Sequence, residues 1–457
     1  MSDSRAIVFL DTVKSTAADL VLQPGANLYT GIKPFASAFS GPTSLEEDLL
    51  VVASTIFACD LAFKRGEREN ITRSIEVTVP VVNLQAFERV KNILEYFLFV
   101  LSDDSWTFNF ERAKGTPEGT NDWPKGNGKT LLFSGGLDSL AGAVDLIDDL
   151  GPENVQLASH ITANLVTKSS QDQLADYLTK KYKKAPQRIV VRSGGRNYKS
   201  LTFPADSDRE ETQRTRSFMF LTIAALAARR TGHSKLVMIA ENGQMAIHLP
   251  LSAARIGAFS THTAHPEFVA QASEFFTQLL EYPITIENPY LYRTKGEVVE
   301  KLVSSHQSAV AMSVSCWRGS RVGKSFNHCG QCIPCLIRRI ALERHNLVLA
   351  EYERDLLVED LPSLPPTDEG KRNLAELGEF AYAFSTQTDA ELLFSYVDLI
   401  NEHIDVDASI AMYRRFAKEA STVFGKYPNV AAFIGLHPKP STSKKKSKIS
   451  KRGKKSR

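Results

Sequence analysis

Leu132-Phe133-Ser134-Gly135-Gly136-Leu137-Asp138-Ser139 is the stretch on which the fold turns. It follows the apolar run Thr130–Phe133, which reads as a strand, and runs into Leu140–Leu150, which reads as a helix. Two successive glycines let a backbone turn sharply and bring its N–H groups close to an anion. The free N–H groups at the start of the following helix add donors and a favourable dipole. Ser134 and Ser139 can donate to phosphate oxygens, and Asp138 can cap the helix and help to position magnesium or the loop. On glycines alone, a simple turn with an Asp cap is an equal reading; the full Ser-Gly-Gly-x-Asp-Ser string at a strand-to-helix junction favours a phosphate-binding loop. Gly128-Lys129-Thr130 is a decoy: a kinase-type phosphate loop needs a glycine where Trp123 stands and must follow a strand.

Outward from the loop the rhythm is strand then helix. Val155–Ile161, Arg188–Val191 and Leu236–Ala240 read as strands, and about Ser170–Tyr182 and Arg214–Arg230 as helices. Units of this length imply an α/β fold with a doubly wound parallel sheet, helices on both faces and ligands beyond the carboxyl ends of the strands. Residues 1–114 show two strand-like stretches (Ile75–Val79, Trp106–Phe110) and two helix-like ones (Glu46–Phe63, Leu84–Leu101), and are expected to form an α+β accessory domain. Residues 115–128 are turn-rich and read as a linker, 129–345 as the central domain, and 346–435 as a helical region containing the runs Leu374–Phe384 and Ala408–Ala417.

The chain has 457 residues and a formal charge of +3, but 436–457 carry ten Lys or Arg and no acid. Without them 45 basic residues stand against 52 acidic, a net −7, so only the tail is drawn to nucleic acid. Its composition cannot bury a core and predicts disorder, with solubilisation or a weak nucleic-acid contact as its role. No charged-then-apolar leader and no apolar run near ~18 residues occurs, which predicts a cytoplasmic chain that does not enter a membrane.

Of five cysteines, Cys316, Cys329, Cys332 and Cys335 lie together, while Cys59 sits in an apolar run and reads as core. Four thiols at this spacing point to tetrahedral zinc with a closed shell, hence a structural metal; a cluster of buried or redox-active thiols is the alternative. His328 borders the cluster as a spare ligand or as a residue behind the ligands.

The loop string resembles the pyrophosphate loop of the PP-loop ATPases, which are HUP-like in fold and cleave ATP between the α and β phosphates. Followed some 180 residues later by Cys-x12-Cys-x2-Cys-x2-Cys, it is similar to the QueC (7-cyano-7-deazaguanine synthase) family over residues 129–345. Tyr292-Arg293-Thr294-Lys295-Gly296-Glu297 resembles the family's Thr/Ser-Lys-x-Glu segment. The resemblance implies ATP, Mg2+ and Zn2+ as cofactors and a 7-deazaguanine carboxylate that is adenylated and then amidated. It assigns catalysis to Ser134, Asp138, Ser139 and Lys295, with the eight loop residues Leu132, Phe133, Ser134, Gly135, Gly136, Leu137, Asp138 and Ser139 holding the nucleotide. Lys295 reads equally as a surface lysine opening a helix. Arg214 and Arg216 stand where the family has an Arg-Asn pair facing the nucleotide; phosphate binding, carboxylate binding and structural ion pairing are all open to them. Glu241 and Asn242 replace the family's Gly-x-Asn-x-x-Asp run and are candidate substrate contacts, as are His262 and His265, for which a backbone-held turn is the other reading. The additions before 115 and after 345, with Thr-Arg-Ser-Phe and Glu-Asn-Gly, resemble the QueC-like, QatC-type proteins of bacterial anti-phage systems. That setting implies a partner protein of a defence operon whose amine takes the place of ammonia. Thiolation of tRNA needs a cysteine to spare, and a non-catalytic ATP- or nucleic-acid-binding module is the remaining class.

Overall fold

The computed structural model describes residues 3–11, 17–66, 72–119, 121–161, 165–233, 237–251, 263–318, 326–349 and 352–435. The basic tail and His262 lie outside them.

The N-terminal layer runs β1 (Asp3–Val8), β2 (Leu20–Leu22), β3 (Leu28–Tyr29), α1 (Ile32–Phe39), α2 (Ser44–Ala62), β4 (Ser74–Val81), α3 (Leu84–Ser102) and β5 (Ser105–Arg112). Strict alternation puts Ile75, Val77, Val79 and Val81 of β4 and Trp106, Phe108 and Phe110 of β5 inside. The sheet has the order β2-β1-β4-β5 and every pairing in it is parallel. This corrects the expected α+β unit to a parallel α/β one. Parallel neighbours need a crossover of a dozen or more residues, and the 19-residue helices α2 and α3 supply it.

The second sheet contains β6 (Lys129–Leu132), β7 (Val155–Ile161), β8 (Gln187–Arg192), β10 (Val237–Met238) and β11 (Ile286–Glu287), the last being a strand the hydrophobic pattern did not signal. Between them lie α4 (Leu137–Leu150), α5 (Leu165–Tyr182), α6 (Arg216–Thr231), α7 (Gly243–Ile247) and α8 (Pro266–Leu280); β9 (Gly194–Gly195) pairs antiparallel with β3. The order is β11-β10-β6-β7-β8, all parallel, so the chain grows to one side of β6 and then to the other. The crevice opened by such a reversal lies at the carboxyl end of β6, where the quoted stretch begins. Both faces are covered: Val155 and Leu157 enter the core shared with α4, whereas Ala158 enters the core shared with α2 and α6.

Helix α2 joins the layers. Thr43 and Glu46 form a capping box at its start, and nearly every side chain from Leu45 to Leu61 is buried, because α6 packs on it from one side and β4 from the other. The stretch 115–128 is strapped across this junction. Glu118 N donates to Asn83 Oδ1 at 2.7 Å, Gly126 N donates to Gly232 O at 3.0 Å, and the Trp123 ring lies 4.1 Å from the Arg229 guanidinium.

After α9 (Lys295–Ser305), α10 (Gln307–Met312) and α11 (Ile333–Arg344) come α12 (Glu369–Thr386), α13 (Asp389–Ser395), α14 (Val406–Phe424) and α15 (Pro428–Phe433). Phe380, Phe384, Tyr413 and Phe416 of this helical part share a core with Leu336, Ile337 and Ile340 of α11. Among the described residues no helix is long and apolar enough to cross a membrane.

Glu46 is fully buried, ion-paired to Arg229 at 2.9 Å and also to Arg230. Removing one member of a buried charge group strands the others in a low dielectric. Glu46→Ala should therefore cost about 3–5 kcal/mol, read as a lowered denaturant midpoint.

Candidate functional site

Gly135 has φ +83°, left-handed backbone, and a Cβ there would sit 3.0–3.2 Å from Gln171 and Ser170. The loop's carbonyls are tied back. Phe133 O accepts from Ser159 Oγ (2.9 Å), Ser134 O from Gln171 Nε2 (3.2 Å), and Gly135 O from Ser170 Oγ (2.8 Å) and Val314 N (3.0 Å). With the carbonyls so occupied, the N–H side of the turn is left for an anion. No side chain caps α4, whose N-cap is Gly136. Ser134 Oγ donates to Ser139 Oγ at 3.2 Å and accepts from Gly136 N at 3.3 Å, so both hydroxyls stand at the loop. Phe133 and Leu137 are fully buried anchors and Leu132 is half-buried; their side chains hold the loop on the sheet.

Three distant segments meet at Asp138. Its carboxylate is ion-paired to Lys295 Nζ and lies 3.4 Å from Asn242 Nδ2, which also donates to Glu241 Oε1 at 3.0 Å. The Glu241 carboxyl also stands within hydrogen-bonding reach of Asp138, to which it donates when it carries its proton. Lys295 is 4% exposed, which removes the surface-lysine reading. It opens α9 behind a capping box of Thr294 and Glu297, and its own N–H donates to Gln244 Oε1 at 3.0 Å. Asn242 caps α7 with its side chain. Burial, and then the Asp138 charge, push the Glu241 carboxyl up to about 8 against partial relief from Lys295. From the helical part, Glu419 of α14 accepts from Thr294 Oγ1 at 2.7 Å and pairs with Arg344, while Arg415 holds Glu297 at 2.7 Å.

The four clustered cysteines also converge, with every Sγ within 4.8 Å of the others and three pairs at 3.3–4.0 Å. Four thiolates around one zinc at ~2.3 Å stand about 3.8 Å apart, so the donor set fits that ion and leaves no open position. Cys332 is the N-cap of α11 and Cys335 lies in its first turn, where the dipole favours thiolate. Arg318 N and Cys329 N point at Cys316 Sγ, at 3.3 and 3.4 Å. Gly330 has φ +76°, and a Cβ there would stand 1.7 Å from Arg354 O, so only glycine closes this turn. His328 is not a ligand: Ser315 N donates to its Nε2 at 3.2 Å, which places it behind the cysteines.

Three further candidates sit at the starts of α6 and α8. Arg214 is buried against Asp103 (2.7 Å) and Ser102 O (2.9 Å), the structural ion pair among its open readings, because the N-terminal layer supplies an acid that the central sequence does not reveal. His265 caps α8, its Nδ1 accepting from Glu267 N at 3.3 Å, as its turn reading anticipates. Arg216, in the first turn of α6, has its guanidinium 5.5 Å from the Phe220 ring centroid. Gln171, Gln244 and Glu419 carried no motif; Glu419 lies 125 positions from the threonine it holds, and no local pattern reports that.

Residues 203–346 match the family model described as queuosine biosynthesis protein QueC, a stretch that includes Glu241, Asn242, Lys295 and all four clustered cysteines and begins after the Ser134–Ser139 loop. No curated protein matches the chain.

Folding of a structural metal site is coupled to metal binding, so Cys332→Ser should lose zinc and thermal stability together, as metal analysis and a melting curve would show. Glu241 supplies a second test. It keeps its proton in the folded state at pH values where the unfolded chain, at 4.5, has lost it. Its contribution is therefore present below about 4.5 and lost as pH rises through about 8. The melting temperature should fall across that window, and Glu241→Gln should flatten the fall.

Proposed function

We propose that this chain is a QueC-like ATP-using enzyme of the PP-loop type, with a doubly wound sheet, that adenylates a carboxylate and passes the acyl group to an amine. The observation that carries the reading is the meeting of the Ser134–Ser139 loop with Lys295 and the Glu241–Asn242 pair at the carboxyl edge of the sheet, where its strand order reverses. The match over 203–346 supports it from the other half of the same site.

In this reading the loop N–H groups and the open start of α4 receive the phosphates, and Ser134 and Ser139 orient them. Lys295 Nζ turns from Asp138 to the polyphosphate as negative charge arrives. A magnesium ion accompanying ATP would be held by the Asp138 carboxylate and would neutralise phosphate charge. The substrate carboxylate oxygen attacks the α-phosphorus, the bond to the bridging oxygen breaks, and pyrophosphate leaves. An amine nitrogen then attacks the acyl carbon, loses a proton and displaces AMP. The cysteine cluster holds zinc as a strut.

The finer terms of the proposal are a 7-deazaguanine carboxylate as substrate and, as acceptor, an amine of a partner protein in an anti-phage module of the QatC type, with ammonia as the biosynthetic counterpart. The place of action is the cytoplasm, and the tail 436–457 is the segment suited to a weak nucleic-acid contact.

The test is release of pyrophosphate and AMP from ATP with 7-carboxy-7-deazaguanine, with and without ammonia, followed by mass spectrometry. Ser134→Ala should lower kcat by about 10²–10³ with little change in melting temperature, the usual effect of removing one donor to developing charge. Lys295→Met should lower kcat at least as far and also lower the melting temperature, because it strands the buried Asp138 carboxylate. Unaltered turnover in both variants would sink the assignment.

A further inference from the structure

His160 is the next-to-last residue of β7, one strand over from the loop, and it is fully buried. Neither ring nitrogen has a hydrogen-bond partner among the described residues. Its ring meets Phe57 of α2 at 5.1 Å and Phe220 of α6 at 5.4 Å, both nearly edge to face. A neutral imidazole carries one donor and one acceptor, and leaving both unmade in a core is costly. Burial and then the Arg216 charge hold it neutral, pushing it down to about 3.

Arg216 is the second anomaly. Its Nε is buried without an acceptor. Burial depresses its guanidinium and no carboxylate opposes that shift. Among the described residues the fully buried arginines all have polar partners: Arg214 has Asp103, Arg229 has Glu46 and Glu118, and Arg338 has Ser313, whereas Arg216, half-buried overall, turns a buried Nε to no acceptor. A cation whose inner edge is desolvated without an anion is retained where a ligand brings the anion.

The two residues stand at the edge where the site lies. α6 links β8 to β10, parallel strands of one sheet, so its first turn is at their carboxyl ends. Gln171 Nε2 reaches both Ser134 O (3.2 Å) and His160 O (3.3 Å), which fixes His160 against the loop. We propose that His160 and Arg216, walled by Phe57 and Phe220, form an anion subsite beside the loop that takes a carboxylate or phosphate oxygen of a bound substrate. Arg216 supplies the charge and His160 a ring N–H; Phe57 brings the N-terminal layer into the site. Only the identity of the anion rests on the adenylation reading.

The test is histidine-selective 13C NMR on the full chain, whose ten histidines include one signal lost in His160→Phe. ATP with magnesium and 7-carboxy-7-deazaguanine are added separately. A shift of the His160 signal with either compound, abolished by Arg216→Met, supports the subsite and tells phosphate from carboxylate. His160→Phe should raise KM for that same compound about tenfold and leave kcat within a few-fold, whereas a purely structural histidine would lower the melting temperature and leave KM alone. Should that variant not fold, Arg216→Met carries the same two readouts. No shift with either compound overturns the subsite. A shift in a protein that releases no pyrophosphate sustains the subsite and discards the adenylation reading.

Discussion

One hydrogen bond ties the two halves of the site together. Val314 N donates to the Gly135 carbonyl at 3.0 Å, joining the loop after β6 to the segment that leads into Cys316. The bond is reinforced from both sides. Ser170 Oγ bridges Gly135 O and Met312 O at 2.8 and 2.9 Å, and the buried Arg338 of α11 reaches Ser313 Oγ at 2.9 Å and Val310 O at 2.8 Å. Because α11 starts at Cys332 and Cys335, whatever holds the cysteines holds Arg338, and through it the back of the loop. A turn of positive φ is a poor anion site unless its surroundings over-determine it. A knot of four converging cysteines some 180 residues away in sequence does that here.

The charged groups behind the loop follow the same logic. Asp138, Lys295, Glu241 and Asn242 come from different segments and are buried or half-buried together, where charge is expensive unless paired. Three helix starts, those of α4, α7 and α9, bring them in at fixed orientations, and capping side chains from Asn242 and Thr294 set two of those starts. The helical C-terminal part contributes directly: Glu419 holds the capping threonine beside Lys295, and Arg415 holds Glu297. The parts on either side of the central sheet pack onto its helices, α2 against α6 and α14 against α7, α9 and α11.

Much of this was legible from residues alone, for identifiable reasons. β7, buried along nearly its whole length, and β8, with an apolar centre at Ile189–Val191, stand out from the sequence nearly to the residue. The loop and the cysteine set are local in sequence and carry their chemistry in their spacing. β11, two residues long, has no period to detect. The direction of β1, β4 and β5 depends on how chain segments return, which composition does not encode. Arg214 and Arg216 look alike in sequence, two positions apart; in the fold Arg214 pairs with Asp103 of the N-terminal layer, whereas Arg216 lies over the Phe220 ring, close enough for its charge to act on His160.

The sequence by itself determined the alternation of strand and helix, the glycine turn between strand and helix, and the four-thiol donor set, since each rests on periodicity or on spacing within about twenty residues. The tertiary structure alone decided that Lys295 is buried against Asp138, that Glu241 holds its proton to about 8, and that His160 sits between two phenylalanines without a hydrogen-bond partner among the described residues. Burial and charge pairing are properties of what lies across a gap in space: residues 138, 241 and 295 become neighbours, and separately 160 and 216, only when the sheet has formed.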